Sequence, residues 1–387
     1  MISSRNYTGI RDDFPELMTG VRYFDNAATS LKPVSVIKAL NLYYYAQNAN
    51  PHGGIHKLSA EAGQMVEKTR QRVADYLGVP SDEIVFTHGA TESLNMIANG
   101  LLNMFSPEDE VIYTRLEHHS NLLPWRMNWK NHKILECDKN GKLADISELI
   151  NERTKVLAIS AESNVLGAIP NFYETIKKAK EAGLIIVVDA TQAIVHQKLD
   201  FTDADFVAFS AHKIYGPMGV GVLWGRKDLL KRLRPMIFGG GAINSVTDNS
   251  IELAELPHCL EAGTPNAGGI IALEKAFDYL TDENFKRMEE LGKILHEKMR
   301  EIPEVKIYSQ VGPLMSFNIE GVHPHDVAAI LDSEKFAIRA GYHCAQPLLD
   351  KLEIGPCCRA SLAFYNDERE IDEFVEIIKT VRSRMGL

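Results

Sequence analysis

The sequence predicts an α/β fold: a mostly parallel seven-stranded sheet covered by helices on both faces, followed by a smaller α+β C-terminal domain. Three observations predict it. Seven short runs rich in β-branched residues recur between residues 83 and 224. Several are apolar almost throughout rather than alternating, as strands buried on both faces are. Helical patterns lie between many of them, and regular alternation of strand and helix builds parallel sheets.

The predicted strands are EIVFT (83–87), EVIYT (110–114), HKILE (132–136), KVLAIS (155–160), LIIVVD (184–189), DFVAFS (205–210) and GVGVLW (219–224). Helical periodicity covers 91–104 and 171–182. After about residue 265 the character changes. The stretch GGIIALEKAFDYLTDENFKRMEELGKILHEKMREI reads as one long helix or two joined ones. Short strands follow near PLMSFNIEG and FAIRAGYHC, then a last helix from about 367.

Composition narrows the function. The chain has 387 residues, 45% hydrophobic and 24% charged, with a formal net charge of −10. No basic patch dominates, so neither nucleic acid nor an anionic membrane is expected as a partner. The polar start MISSRNYTGIRDDFPEL lacks the apolar core of a signal peptide, and no apolar run is long enough to span a bilayer. The five cysteines are Cys137, Cys259, Cys344, Cys357 and Cys358. An odd count without a secretory signal points to reduced thiols in the cytoplasm. No CxxC pair occurs, and His118–His119 and His52-x-x-x-His56 lack a completing ligand set, so no metal is expected.

In open parallel sheets, ligands bind at the carboxyl ends of the strands. Polar residues follow five of these runs. HGATES follows the first, with Ala90 and Thr91 at a strand–turn–helix junction that suits phosphate. Glu117, His118 and His119 follow the second. Ser163 and Asn164 follow the fourth. The fifth ends on Asp189, with Gln192 three residues later, and the sixth on Ser210, His212 and Lys213. A phosphate cradle, a strand-end carboxylate and a lysine together suit pyridoxal 5'-phosphate (PLP). Its aldehyde forms a Schiff base with a lysine amine, and a carboxylate partners the pyridinium nitrogen.

VVDATQAIVHQ followed by FSAHKIYGPMGVG resembles the class V aminotransferase group, and within it the cysteine desulfurases of the SufS/CsdA type. YFDNAATS, EHHSNLLPW, SNVLGAIP, EAGTPN, RAGYHCAQP and CRASLAFYN carry the resemblance over nearly the whole chain. It implies a PLP-dependent transferase of fold type I, working as a homodimer. Residues 1–20 would pack with the small domain, 21–265 form the large PLP-binding domain, and 266–387 the small domain. Lys213 would be the Schiff-base lysine, Asp189 the partner of the ring nitrogen and Gln192 of the ring hydroxyl. His118 would stack on the ring and assist proton transfer. Ala90, Thr91, Ser210 and His212 would bind phosphate, joined by Thr264 from the partner subunit. Asn164 and Arg359 would hold the substrate carboxylate. Cys344 would take sulfur from L-cysteine as a persulfide, for a SufE- or SufU-like acceptor or a scaffold of iron–sulfur cluster assembly.

The residues around Cys344 support that role independently. Thiolates attack sulfur well, and Arg339 and His343 flank this one. Cys357 and Cys358 read as structural. The chain departs from the family pattern at Gly53, where an arginine is common, and at Tyr342, where a second histidine is common. Selenocysteine lyase, or another PLP lyase on this scaffold, would need the same residues. A silent scaffold would not need Lys213, Asp189 and Cys344 intact.

Overall fold

The structure, a computed structural model, describes residues 7–52, 54–169 and 171–387. The departure at Gly53 lies outside the described residues. The seven predicted runs form one seven-stranded sheet. They are β1 (Ile84–Thr87), β2 (Glu110–Thr114), β3 (Asn131–Leu135), β4 (Thr154–Ser160), β5 (Ile185–Asp189), β6 (Phe206–Ser210) and β7 (Gly221–Gly225). Their spatial order is β1-β7-β6-β5-β4-β2-β3. Every neighbouring pair from β6 to β3 is parallel, whereas β7 runs antiparallel to both β1 and β6.

Alternate residues of each strand enter different cores. In β2, Ile112 joins one cluster and Val111 and Tyr113 the other; in β5, Ile186 and Val188 face away from Val187. Both faces are therefore buried, which is why the runs read as continuously apolar. Helices cover both faces, among them α1 (Val34–Leu42), α2 (Lys57–Leu77), α3 (Ala90–Gly100), α4 (His119–Asn128) and α5 (Phe172–Glu181). The 21-residue α2 goes beyond the helical patterns read from sequence. Its buried stripe includes Ser59, Thr69 and Arg70, which blur the apolar period. Arg70, only 1% exposed, donates to Glu261 at 2.6 and 2.9 Å and lies over the Phe86 ring.

The long helical stretch after residue 265 is two helices. α6 (Ala267–Ala276) passes through a short 3₁₀ turn before α7 (Asp282–Arg300) restarts, its N-terminus capped by the Thr281 side chain. A four-stranded antiparallel sheet follows, with β8 (Val305–Ile307), β9 (Leu314–Ile319), β10 (Arg339–Gly341) and β11 (Cys357–Ser361) in the order β8-β9-β11-β10. α8 (Pro324–Ser333) and α9 (Glu368–Arg384) pack on it; α9 begins with a reciprocal Asp367–Glu370 capping box. Near the N-terminus, Phe14 is fully buried against Tyr365 and Phe364, and Arg11 donates to Glu370 at 2.7 Å. No helix among the described residues is long and apolar enough to cross a membrane.

Candidate active site

The carboxyl ends of β1, β2, β4, β5 and β6 converge on a cavity of about 230 Å³. Every predicted site residue lines it except Thr264. Ala90 and Thr91 come from the start of α3, and His118 from the cap of α4. Asn164 follows β4, Asp189 ends β5, and Gln192 follows it. Ser210, His212 and Lys213 follow β6, while Cys344 and Arg359 come from the C-terminal sheet region. Thr264 is exposed on a separate loop, where its hydroxyl accepts from Asn50 Nδ2 at 3.4 Å.

The turn after β1 is built for close approach. Ser210 Oγ accepts the Ala90 N–H at 2.9 Å, and the Thr91 and Ser120 hydroxyls lie 2.7 Å apart. A Cβ at Gly221 would lie 2.4 Å from Gly89 Cα, so only glycine lets β7 back this turn. The first N–H groups of an eight-residue or longer helix such as α3 attract an anion placed there.

Asp189 is 6% exposed and accepts the Thr191 N–H at 3.0 Å. It forms no ion pair among the described residues. Burial raises its pKa, opposed by Thr191 and Lys213. Burial pushes the Lys213 amine down to about 8; Arg359 adds to this, and Asp189 opposes it. The ring of His118 is neutral. Its Nδ1 accepts the Ser120 N–H at 3.1 Å, so Nε2 carries the proton, and burial, with Lys213 next, pushes its pKa down to about 3. His212 is pushed down to about 4, again chiefly by burial.

A basic edge completes the cavity. Arg359 is 2% exposed, donates from Nη1 to the Asn164 carbonyl at 3.0 Å, and is pushed down to about 10 by burial. Arg339 also lines the cavity and makes a two-pronged contact with Asp25 at 3.0–3.2 Å. Asp25 is also 3.7 Å from Arg359. Sequence reasoning read Asp25 only as part of YFDNAATS, and nothing local marks it as an arginine partner. Glu162 lines the cavity too and pairs with His196 at 2.9 Å; it lies just past the KVLAIS run, and nothing local marks it. Tyr342 is exposed beside the cavity-lining His343.

The profile of the aminotransferase class-V family matches residues 22–374. The chain belongs to that family. A probable cysteine desulfurase from Streptomyces coelicolor is 38% identical to it, across 97% of each chain. A probable cysteine desulfurase from Pyrococcus abyssi is 40% identical, across 97% of this chain and 98% of its own. Among solved structures, the cysteine desulfurase from Thermococcus onnurineus NA1 is similar over 100% of both chains, with a TM-score of 0.93 and 39% identity. The fold is thus that of the class-V aminotransferases, as the sequence predicts.

The family cofactor is PLP, and the cavity fits it. Asp189 is a buried carboxyl whose burial would be offset by a bound cation, and Lys213 a desolvated amine suited to a carbonyl. Four buried polar atoms on the cavity wall have no partner among the described residues: Asn164 Oδ1, Thr191 Oγ1, His343 Nδ1 and Arg359 Nε. Groups of this kind are rare in protein interiors, and their clustering here marks a place for a polar ligand.

The depressed lysine gives a pH signature. Only the free amine attacks an aldehyde, and its fraction reaches one half at about pH 8. Covalent PLP uptake by cofactor-free protein should therefore quicken about tenfold per pH unit below that point and level off above it. Stopped-flow absorbance measures this; a midpoint near that of an ordinary lysine would show that the amine is not desolvated.

Proposed function

We propose that the protein is a PLP-dependent L-cysteine desulfurase that holds the sulfur as a persulfide on Cys344. One observation carries the reading: the exposed Cys344 lines the same cavity as the half-buried Lys213 and the buried Asp189. When bound, PLP supplies an electron sink that stabilises negative charge at the substrate's α-carbon.

The chain's own residues do the rest. Asp189 would hold the ring nitrogen in its protonated form, and Gln192 would bind the ring hydroxyl. Ala90, Thr91, Ser210 and His212 hold the phosphate. His118, a neutral ring with its proton on Nε2, would stack on the bound cofactor and have that proton to donate. Arg359 binds the α-carboxylate, with Asn164 beside it. The Lys213 amine, free in appreciable fraction near neutral pH, takes the α-proton. Cys344 attacks the substrate sulfur as thiolate. The S–S bond forms as the C–S bond breaks, and the electron pair of that bond stays on the β-carbon, which takes up a proton. The balance is L-cysteine plus one protein thiol to L-alanine plus one protein persulfide.

The working unit is a homodimer. Thr264, away from its own chain's cavity, joins the partner's phosphate site. Large apolar side chains left exposed support an interface: Tyr45 at 89%, Phe238 at 62% and Ile251 at 70%. Sedimentation at assay concentration should give a dimer; a fully active monomer would refute it. The described cysteines are all free, in keeping with the cytoplasm. A SufE- or SufU-like protein, or a cluster scaffold, accepts the sulfur.

Incubation of the holoenzyme with L-cysteine alone tests the function. Alanine should appear, and the peptide carrying Cys344 should gain one sulfur atom by mass. Alanine without that gain, or sulfur on another cysteine, would overturn the persulfide assignment.

A further inference from the structure

Cys344 stands on a turn that its own backbone disfavours. His343 and Cys344 are both left-handed, with φ of 50° and 54°. In that region Cβ crowds the following carbonyl, so consecutive non-glycine residues stay there only where neighbours hold them. Three donors do so. The His343 ring donates from Nε2 to the Cys357 carbonyl at 2.9 Å. The His119 backbone N–H donates to the Cys344 carbonyl at 2.8 Å. Asn164 Nδ2 donates to the His343 carbonyl at 2.6 Å.

The third bond is the informative one. Asn164 is buried, and its backbone carbonyl accepts from Arg359, the guanidinium assigned to the carboxylate. Its side chain therefore spans from the carboxylate site to the thiol-bearing turn, 179 residues further along the chain. A residue that only bound substrate would have no need of a short bond to a peptide carbonyl of the turn.

We propose that Asn164 is a positioning residue for Cys344: its amide N–H fixes the left-handed His343–Cys344 turn and so sets where the thiol stands relative to the cavity. The role is distinct from carboxylate binding, although it rests on the desulfurase reading for its effect on turnover.

Hydrogen exchange on cofactor-free and PLP-loaded protein tests it. The reporter is the peptide spanning 341–346, whose Ala345 N–H is bonded to the Tyr342 carbonyl. In Asn164→Ala this peptide should exchange at least about tenfold faster, while the β6 peptide stays unchanged. Asn164→Asp is nearly isosteric but has no N–H to donate when ionised, and should loosen the same peptide. In PLP-loaded Asn164→Ala, L-alanine binding, read by cofactor spectrum, reports the carboxylate contact separately from the turn. Alanine formation from saturating L-cysteine should fall roughly 10²-fold, the loss expected for a reacting group displaced by an ångström. Unchanged exchange of the turn in both variants would overturn the proposal. So would weaker L-alanine binding with full turnover at saturation, which would leave Asn164 a carboxylate ligand only. If wild type makes no alanine while the turn still loosens in both variants, the desulfurase reading fails and the positioning role stands.

Discussion

Replacing Lys213 with alanine is expected to give a folded protein that forms no borohydride-reducible adduct with PLP. The amine at this position is desolvated and has no hydrogen-bond partner among the described residues, so little native structure depends on it. One other lysine nearby has a depressed pKa. Lys32 is also pushed down to about 8 by burial, but its amine already donates to the carbonyls of Ser30 and His212. A lysine held by two carbonyls cannot turn its lone pair to an aldehyde without breaking both bonds, so it should not substitute. Non-covalent PLP binding should survive, because the cradle around Ala90 and Ser210 is intact. Turnover should fall by about 10⁴-fold, since covalent attachment and proton transfer are both lost. The check is borohydride reduction followed by peptide mapping, with parallel PLP titration. An adduct mapped to Lys32, or reducible label retained at wild-type level, would overturn the assignment of the whole cavity.

Replacing Cys344 with alanine is expected to stop sulfur transfer while leaving the cofactor site in place. The hydrogen bonds and ion pair of Asp189 and Arg359 do not involve the Cys344 side chain, and Cys344 is the last and smallest cause acting on Lys213, so L-cysteine should still change the cofactor spectrum. Alanine formation from it should drop at least about 10²-fold, because no other described cysteine lines the cavity. Burial pushes Cys357 up to about 12 and raises Cys358 further, and both are fully buried. Cys137 is pushed up to about 11, chiefly by burial, and lines none of the cavity. A thiol that seldom ionises is a poor nucleophile for sulfur. Cleavage of selenocysteine should be less affected, since selenium leaves more readily without an acceptor. Assaying both substrates on wild type and variant, with spectra recorded, separates the cases. Alanine from L-cysteine at the wild-type rate would show that Cys344 takes no sulfur, leaving a PLP lyase of another kind.

Much of this was legible in the sequence because it is local. Each of the seven strands is a short run buried on both faces, so its pattern carried its burial directly. The cavity residues follow strand ends within a few positions, and parallel topology brings such ends to one edge. That is why Lys213, Asp189, Gln192 and His118 could be grouped before any contact was known. The 21 residues of α2 were less legible. Its inner face carries Arg70, whose burial depends on Glu261, 191 residues away.

What only the tertiary structure decided depends on such distant pairs. The bond from Asp25 to Arg339 spans 314 residues, and the one from Asn164 to His343 spans 179. No pattern within a segment encodes either. The neutral state of His118 and the lowered pKa of Lys213 likewise belong to the folded cavity, because desolvation is the first cause of both shifts. The left-handed turn at Cys344 is the clearest case. Its sequence, AGYHCAQP, marks a loop bearing a thiol, but isolated His and Cys residues avoid that conformation. The turn exists because donors from the starts and ends of other elements meet its carbonyls. The residue types were therefore set by the sequence, and the geometry that makes a thiol a sulfur acceptor by long-range packing.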